Sequence, residues 1–346
     1  MSNITKTKVA VVILNWNGRK FLEKFLPSVV ANSIGAKVIV ADNDSSDDSV
    51  EFMREHYPSI RLIINTENTG YAQGYNNALA EIDAEYYVLL NSDIEVGENW
   101  VMPIIEEMDK DKSIGAAQPK LRAYYDEQRH EFEYAGASGG FIDKYGYPFC
   151  RGRIFDELET DKGQYDENME IFWASGAAMF VRADAFREIG GLDGDFFAHM
   201  EEIDFCWRLK LEGYKIMSIP KSTVYHVGGG TLPKNSARKT YLNFRNNFTL
   251  LVKNLPRNRV VKVILYRLIL DGVAGLKFLS QGHYKDTFAI IKAHFYFYTH
   301  LGEIRAKRKG RKLIPVSRMY NRNIVFDHYI KHKTKFSELK KELFTK

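Results

Sequence analysis

The sequence predicts an α/β fold built on a parallel sheet, and three observations support this prediction. Four short runs rich in Val and Ile, each typical of a buried strand, lie within the first 120 residues. Each run is followed by a segment with apolar residues at helical spacing. Each run also ends in a polar cluster, at the edge where parallel sheets bind ligands. This alternation indicates right-handed βαβ units.

The elements follow in order along the chain. The predicted strands of the first part are 8–16, 36–43, 60–67 and 85–93, and its predicted helices are 18–32, 45–57, 71–82 and 99–110. Residues 120–170 are rich in Gly and Tyr without a clear period, which predicts loop and short strands. A strand and a helix return over 171–191. A helix over 201–212 is then ended by Gly213, ahead of a strand over 215–220.

The composition is that of a globular protein with room for a sizeable core. Hydrophobic residues make up 45% of the 346 residues and charged residues 27%. The two cysteines, Cys150 and Cys206, exclude a disulfide framework and fit a reducing cytosol. The apolar run near the N-terminus, Val9–Leu14, is too short for a secretory signal. No apolar run approaches the roughly 20 residues that span a bilayer, so we expect a cytoplasmic protein.

The charges are distributed unevenly. From residue 253 onward there are 22 basic and 6 acidic residues, whereas the preceding part carries 27 basic and 38 acidic residues. Basic residues interleaved with aromatic ones over 261–312 favour a peripheral contact with an anionic membrane. A helical cap on the rest of the protein and a homodimer interface are the alternatives. Nucleic acid is not expected, because no DNA- or RNA-binding module accompanies the basic run.

Two common nucleotide-binding motifs are absent from the sequence. No G-x-G-x-x-G follows the first strand, and no G-x-x-x-x-G-K-[ST] occurs. A nucleotide would therefore be bound at the polar strand ends. Asp42 could accept from the imide N–H of uracil or thymine, or it could form an Asx turn. Asn68, Gly70 and Tyr71 open a helix whose free N–H groups favour phosphate, although a simple helix cap is the alternative.

The stretch "NSDIEV" places an isolated carboxylate, Asp93, directly after the fourth strand. A divalent cation such as Mg²⁺ or Mn²⁺ prefers oxygen ligands and can neutralise the charge that develops on a diphosphate leaving group. His226, which follows another predicted strand, could be the second ligand, although a lone histidine is more often structural.

The stretch "HMEEIDFCWR" is the densest candidate site. On a helix Glu201 and Asp204 share one face, and Asp204 and Arg208 are spaced for an ion pair. Glu202 points about 100° away from Glu201. Partial burial among aromatic residues would raise the pKa of a carboxyl group and suit a general base. The alternative is a helix start that collects acids to satisfy its dipole.

Taken together, these segments resemble a known family. The resemblance is carried by "NWNG", "VADNDSSDDS", "NTENTGYAQGYNNAL", "LLNSDIEV", "WASGAAMFVRADAFREIGGLDGDFF" and "MEEIDFCWRLKLEGYKI". This order is similar to the inverting family 2 glycosyltransferases of GT-A fold, within their bacterial rhamnosyltransferase-like branch, and it covers roughly residues 8–250.

The resemblance implies a role for each matching position. The nucleotide base and ribose would be contacted by Asn15 and Asp42. The ribose and diphosphate would lie near Asn68, Gly70 and Asn76. The diphosphate end of the donor would be bound by Ser92 and Asp93. The metal would be held by Asp93 and His226. The acceptor side would be lined by Trp173, Ser175 and Gly176. The base would be Glu202, with Glu201 and Asp204 beside it. Two positions depart from the family pattern: Asn91 replaces the first acid of Asp-x-Asp, and the base is Glu rather than Asp.

The resemblance also implies a domain organisation. Residues 1–235 would form a Rossmann-like α/β/α sandwich with a mostly parallel sheet. In it, 1–120 would bind the nucleotide sugar and 121–235 would supply the acceptor and catalytic half. Residues 236–346 would form a basic, mainly helical C-terminal region.

The expected function is inverting transfer of a sugar onto a glycan or lipid-linked acceptor, in cell-surface polysaccharide synthesis at the inner face of a bacterial plasma membrane. The donor would be thymidine-diphosphate rhamnose or a hexose carried by uridine diphosphate. The alternatives are a sugar nucleotidyltransferase and a catalytically inactive glycan-binding scaffold.

Overall fold

A computed structural model describes residues 7–126, 129–228 and 236–346. The strands are β1 (Thr7–Asn15), β2 (Lys37–Asp42), β3 (Arg61–Ile64), β4 (Ala84–Asn91), β5 (Ile94–Val96), β6 (Ile114–Ala123), β7 (Gly140–Asp143), β8 (Pro148–Cys150), β9 (Arg153–Ile154), β10 (Glu157–Leu158), β11 (Met169–Ile171), β12 (Ala178–Arg182), β13 (Lys215–His226) and β14 (Met319–Tyr320). The helices are α1 (Arg19–Asn32), α2 (Ser49–His56), α3 (Gly70–Ala80), α4 (Met102–Lys110), α5 (Ala183–Glu188), α6 (Glu201–Leu211), α7 (Ala237–Asn254), α8 (Arg257–Ser280), α9 (Tyr284–Thr299), α10 (Leu301–Ala306) and α11 (Ile324–Tyr329).

The main sheet of the described chain has the strand order β11-β13-β6-β12-β4-β1-β2-β3, with β5 paired to β13. Its first four strands in sequence are parallel, as predicted. Beyond them the sheet is mixed, because β12 runs antiparallel between β4 and β6. The α/β prediction is confirmed, with antiparallel pairing confined to the second half of the sheet.

The central strand shows why this sheet is covered on both faces. In β1, Val9, Val11 and Ile13 belong to one buried cluster, whereas Ala10 and Val12 belong to the other. Because successive side chains of a strand point to opposite faces, this apolar run requires a helical layer on each side. Helices α1, α2 and α4 pack on the first face, and α3, α5 and α6 pack on the second.

The register of the sheet brings the predicted polar strand ends to one edge. Asn15 pairs with Asp42 across β1 and β2, and Leu14 pairs with Asn91 across β1 and β4. On the other side of the sheet, β13 pairs its last residue, His226, with Ile94. This pairing places His226 next to the connection that carries Asp93.

The region 120–170 folds into short strands and loops, as expected. Its strands β7 to β10 form a second sheet, in the order β10-β9-β8-β7-β14. Strand β6 was not predicted, because its sequence contains Gln118, Pro119 and Lys120. Gln118 and Lys120 are buried, and Lys120 Nζ lies 2.8 Å from Asp161 Oδ2. This ion pair, which the local pattern does not reveal, allows a charged residue inside the sheet.

The C-terminal region is helical from Ala237 to Ala306, as predicted. After that point the chain departs from the helical prediction, because β14 pairs with β7 and only α11 and short 3₁₀ turns are helical. The last residues therefore complete the second sheet. The predicted boundary at 235 lies in 229–235, outside the described residues. Within the described ranges, none of the helices has the length and apolar character needed to cross a bilayer.

Candidate active site

An open cleft of about 910 Å³ lies at the edge of the main sheet where the polar strand ends meet. This volume is in the range of small-molecule sites. The predicted site residues that line it are Asn68, Gly70, Ser92, Asp93, Trp173, Ser175, Gly176, Glu201, Glu202 and His226. The predicted site residues outside its lining are Asn15, Asp42, Asn76 and Asp204.

Asn15 and Asp42 form a buried pair beneath the cleft. The Asn15 amide donates to Asp42 Oδ2 at 3.0 Å, and the backbone N–H of Ser45 donates to Asp42 Oδ1 at 2.8 Å. Asp42 thus forms a turn with Ser45, which was the alternative to base recognition. A Cβ atom on Gly18 would lie 2.3 Å from Asn15 Oδ1, so this corner of the fold requires glycine. The role of the pair in donor binding stays a prediction.

The start of α3 does not have the free N–H groups that the sequence suggested. The Gly70 N–H donates to Asn68 Oδ1 at 3.0 Å, and the Tyr71 N–H donates to the carbonyl of Phe197 at 2.7 Å. The helix start is therefore capped by the protein itself. Phosphate could bind these groups only if the Phe197 carbonyl moved away. Asn76 is also engaged, since both ends of its amide bond the backbone of Leu192.

The loop before α6 is strained. Phe197, His199 and Met200 have positive φ angles of 63°, 70° and 71°. Asn246 of α7 holds this loop, because its amide donates to the carbonyls of Ala198 at 2.9 Å and His199 at 2.7 Å. Non-glycine residues in this conformation cluster at functional sites and persist only where neighbouring contacts hold them. Here the loop places the first turn of α6 against the cleft.

Glu201 and Glu202 begin α6 and both line the cleft. Burial raises the pKa of the Glu202 carboxyl to about 7. Burial and the adjacent charges of Glu202 and Asp204 raise the pKa of Glu201 well above its usual range. One carboxyl oxygen of each residue, Oε2, is buried without a hydrogen-bond partner in the described chain. Burial therefore favours the protonated form of Glu201 more strongly than that of Glu202, which makes Glu202 the better candidate to accept a proton.

This difference leads to a testable pH dependence. We expect kcat/KM to rise with pH through an acid limb near pH 7, because Glu202 must lose its proton to act as a base. Below that value the rate should fall roughly tenfold for each pH unit. The measurement is a pH profile of transfer at low substrate concentration. The residual activity of Glu202→Gln should lack this limb, and a wild-type profile flat from pH 5 to 8 would contradict the assignment.

Asp204 points away from the cleft into a buried network of ion pairs. Its carboxylate accepts from Arg208 Nε at 2.8 Å, Lys253 Nζ at 2.7 Å and Asn254 Nδ2 at 2.8 Å. Burial alone would raise the pKa of Asp204, but the charges of Lys253 and Arg208 outweigh it and hold that pKa well below its usual range. The predicted Asp204–Arg208 pair is thus present. Through these contacts Asp204 links α6 to α7.

Asp93 and His226 face each other across the cleft wall. His226 Nε2 lies 3.2 Å from Asp93 Oδ1, and His226 Nδ1 lies 3.3 Å from Glu133 Oε1. Burial disfavours a charged imidazole, but the two carboxylates outweigh it and raise the pKa of His226 to about 10. Burial would likewise raise the pKa of Asp93, but the charge of His226 outweighs it and lowers that pKa. The charge of a protonated His226 is therefore balanced by Asp93 and Glu133, and the wall carries no net positive charge by itself.

The same two residues can be tested as metal ligands. Asp93 supplies an oxygen donor, and His226 Nε2 supplies a nitrogen donor once it loses its proton. At 3.2 Å apart they fit as two ligands of one divalent cation, with phosphate oxygens of a donor as further ligands. The described residues contain no group of three or more His, Cys, Asp or Glu that could hold a metal by itself. A cation here would depend on the donor.

The residues predicted to line the acceptor side belong to the lining of this cleft, and Gly176 is the one beside Glu202. Trp173 Nε1 donates to the carbonyl of Phe141 at 2.9 Å, so its polar atom is used within the fold. Gly176 approaches both Tyr71 and Glu202, and a Cβ there would lie 2.8 Å from the Tyr71 hydroxyl. Ser175 is buried and donates from its hydroxyl to the carbonyl of Ala135. These residues shape the wall more than they offer free polar groups.

Several cleft residues were not singled out from the sequence. Glu133 lies in the irregular region, and its contact with His226 arises only through the fold. Trp16 follows the first strand, where an aromatic residue beside a polar strand end could have been noticed. Helix α7 also lines the cleft with residues at helical spacing. The cleft residues of α7 are Arg238, Lys239, Thr240, Asn243, Phe244 and Asn247.

This fold and cleft define a class of protein. Three features are those of a GT-A transferase: mostly parallel strands in one half of the sheet, a large cleft at the strand ends and carboxylates on its wall. The glycosyl transferase family 2 model matches residues 10–190. The chain belongs to this family and is a glycosyltransferase.

Named relatives are distant in sequence. The chain is 25% identical over 233 residues to N-acetylglucosaminyl-diphospho-decaprenol L-rhamnosyltransferase of Mycobacterium tuberculosis, covering 62% of this chain and 75% of that protein. It is 23% identical over 227 residues to rhamnosyltransferase WbbL of Escherichia coli, covering 63% of this chain and 83% of WbbL.

Solved structures share the fold at lower identity. GalNAc-T7 with UDP, GalNAc and Mn²⁺ is 16% identical, with a TM-score of 0.56 over 73% of this chain and 50% of that chain. Staphylococcus aureus TarS with UDP-GlcNAc is 13% identical, with a TM-score of 0.52 over 87% of this chain and 88% of that chain. The chain thus spans about half the length of the GalNAc-T7 chain. These likenesses establish the GT-A fold.

Proposed function

We propose that this glycosyltransferase inverts the anomeric configuration of its donor sugar in a single displacement. The observation that carries the proposal is the placement of Glu202 and the Asp93–His226 pair on the walls of one cleft. A general base with a pKa near the working pH is suited to activate a hydroxyl group. A divalent cation held by Asp93 and His226 at the other end would be suited to a departing diphosphate.

The reaction would proceed without a covalent intermediate. Glu202 takes the proton of an acceptor hydroxyl as its oxygen forms a bond to the anomeric carbon. The bond from that carbon to the diphosphate oxygen breaks on the opposite face, and its electron pair leaves with the diphosphate. When a divalent cation is bound by Asp93 and His226, it would neutralise the negative charge of the diphosphate.

The donor and acceptor are proposed from the relatives. The mycobacterial and Escherichia coli relatives are named as rhamnosyltransferases, which supports thymidine-diphosphate rhamnose as the donor. The TarS complex holds UDP-GlcNAc, which supports a uridine-diphosphate hexose as the second possibility. The mycobacterial relative is named for a diphospho-decaprenol-linked sugar, which supports a lipid-linked acceptor. Such an acceptor would place the reaction in cell-surface polysaccharide synthesis, at the inner face of a bacterial plasma membrane.

A panel of nucleotide sugars tests this proposal. The chain is incubated with thymidine-, uridine- and guanosine-diphosphate sugars, with a polyprenyl-diphosphate sugar as acceptor, and the product linkage is read by NMR. We expect transfer from a pyrimidine nucleotide sugar with inversion at the anomeric carbon. Retention of configuration, or transfer only from a purine nucleotide sugar, would contradict the proposal. Formation of a nucleotide sugar from sugar phosphate would instead support the nucleotidyltransferase alternative, and binding without turnover would support the scaffold.

The metal role of Asp93 has its own test. We expect Asp93→Asn to lower kcat/KM by about 100-fold, because the diphosphate end of the cleft loses its carboxylate ligand and the partner of His226. Excess chelator should lower wild-type activity, and added Mn²⁺ should restore it. The matched control is Glu98→Gln, which removes an exposed acid just after β5. Full wild-type activity in chelator would refute the cation role.

A further inference from the structure

The two longest helices after α7 expose apolar side chains in an unusual concentration. Among the described residues, half of the exposed large hydrophobic side chains belong to α8 and α9. On α8 they are Val261, Leu265, Ile269, Val273, Leu276 and Leu279. These positions fall within one arc of about 120° on a helix. We call this arc and its counterpart on α9 the hairpin face.

The counterpart on α9 is equally continuous. It consists of Tyr284, Phe288, Ile291, Phe295 and Tyr298, which are each more than half exposed. Their spacing places them within about 80° of the helix circumference. The two helices pack against each other, since Thr287 of α9 donates to the carbonyl of Gly275 of α8 at 2.9 Å. One helix pair therefore carries two long apolar stripes that its own packing leaves uncovered.

Part of the charge of this helix pair is buried on its inner side. Arg267 and Asp271 of α8 are buried and form an ion pair at 3.1 Å, and His294 Nε2 of α9 lies 3.3 Å from the second oxygen of Asp271. A helix on a water-exposed surface normally presents a polar face to water. On α8 and α9 the outward arc is apolar instead, and the exposed lysines lie beside it. An exposed apolar surface of this extent marks a site of interaction.

The charged residues at the edge of the hairpin face indicate what kind of surface binds it. Lys262, Lys277, Lys285 and Lys292 are exposed. The acids of the two helices are turned away, since Asp271 is buried and Asp286 accepts from Thr240 at 2.5 Å. Apolar side chains bordered by lysines suit lipid headgroups that carry negative charge. In a symmetric dimer the same lysines would face each other across the interface, which disfavours a second copy.

The face is also joined to the cleft. Lys277 Nζ lies 5.1 Å from the centroid of the Tyr329 ring, and the Tyr329 ring lies 5.3 Å from that of Phe155. Phe155 lines the cleft. A surface that met the hairpin face would thus lie beside one wall of the cleft.

We propose that the hairpin face binds the surface of an anionic lipid bilayer, with the apolar stripes in the headgroup region and the lysines at the phosphates. The inference does not depend on which sugar is transferred. It places the cleft where an acceptor anchored in that bilayer can enter.

The test is sedimentation of the full chain with vesicles of phosphatidylcholine, with and without phosphatidylglycerol. We expect the chain to bind the vesicles that contain phosphatidylglycerol. Its binding to the neutral phosphatidylcholine vesicles should be weaker by about tenfold or more. Leu265→Glu combined with Phe295→Glu should lower binding to the mixed vesicles by at least about tenfold. Lys262→Glu combined with Lys285→Glu, which leaves the apolar stripes intact, should lower it by a similar factor.

The matched control is Ile34→Glu combined with Ile64→Glu, which charges two isoleucines that are 73% and 47% exposed outside the hairpin. It should bind vesicles as the wild type does, and all variants should keep the wild-type melting temperature. Lack of vesicle binding by the wild-type chain would overturn the proposal, as would unchanged binding by the Leu265→Glu/Phe295→Glu variant. A dimer in light scattering that this variant converts to a monomer, without loss of vesicle binding, would assign the face to a second copy.

Discussion

Glu202→Gln is expected to lower kcat for transfer by about 10³-fold, because removal of a general base from a positioned acceptor hydroxyl has an effect of this order. Glutamine keeps the length and shape of the side chain but cannot accept the proton. Donor affinity should change little, since the diphosphate end of the cleft is held by Asp93 and His226. The measurement is single-turnover transfer at saturating donor, together with calorimetric binding of the nucleotide.

The matched control for this variant is the adjacent residue. Burial and the neighbouring acids favour the protonated form of Glu201, which glutamine resembles, so Glu201→Gln should keep kcat within about tenfold of the wild type. The two variants differ only in which of two neighbouring carboxyl groups is replaced. Wild-type transfer by Glu202→Gln with loss of transfer in Glu201→Gln would assign the base to Glu201. Equal loss in both variants would show that the pair acts together.

Asp204→Asn should destabilise the protein by about 3–5 kcal/mol, because it leaves the buried guanidinium of Arg208 without its carboxylate and leaves Lys253 with Asp193 alone. Lys253 is fully buried, and its Nζ lies 2.7 Å from Asp204 Oδ2. Asparagine retains the shape of the side chain, so the change is mainly one of charge. The measurement is the free energy of unfolding in urea at pH 7. Transfer activity per folded molecule should decrease less than it does in Glu202→Gln.

Two further variants separate charge from packing. Asp184→Asn removes an exposed acid that pairs with Arg187, and it should change stability by less than about 1 kcal/mol. Lys253→Met combined with Asp204→Asn removes two of the buried charges and leaves Arg208 in place, and it should recover part of the lost stability. A decrease of less than 1 kcal/mol in Asp204→Asn would show that Asp193 and solvent compensate for the missing carboxylate. The network would then not be what holds α6 against α7.

The first half of the fold was predictable because its signals are local. An apolar run such as Val9–Ile13 is buried on both faces of the sheet. Because its consecutive residues are all apolar, this burial can be predicted from the short segment alone. The polar residues that follow each strand must gather at one edge, because parallel strands all end there. Asp93 could therefore be placed on a cleft before the fold was known, whereas Glu201 and Glu202 were placed there by their acidic cluster and by the resemblance to the family. Order and spacing of several motifs then identified the family.

Other parts of the site depended on contacts between distant segments. The sequence treated Asp204 as part of the acidic site, but Lys253 of α7 draws its carboxylate into the core. The start of α3 looked free for phosphate, but the carbonyl of Phe197 occupies it. Glu133 was not recognised, because its meeting with His226 requires β13 to cross beside the irregular region. In each case the partner lies more than 40 residues away.

By itself the sequence determined the α/β class, the edge of the sheet that carries the cleft and the acids that line it. These features follow from the periodicity of apolar residues and from the residues at strand ends, which are properties of short segments. Only the tertiary structure decided which acid is free to act, which is neutralised and which helix start is open. Those outcomes depend on burial and on charges brought together by folding, and the same long-range packing turned the apolar stripes of α8 and α9 outward.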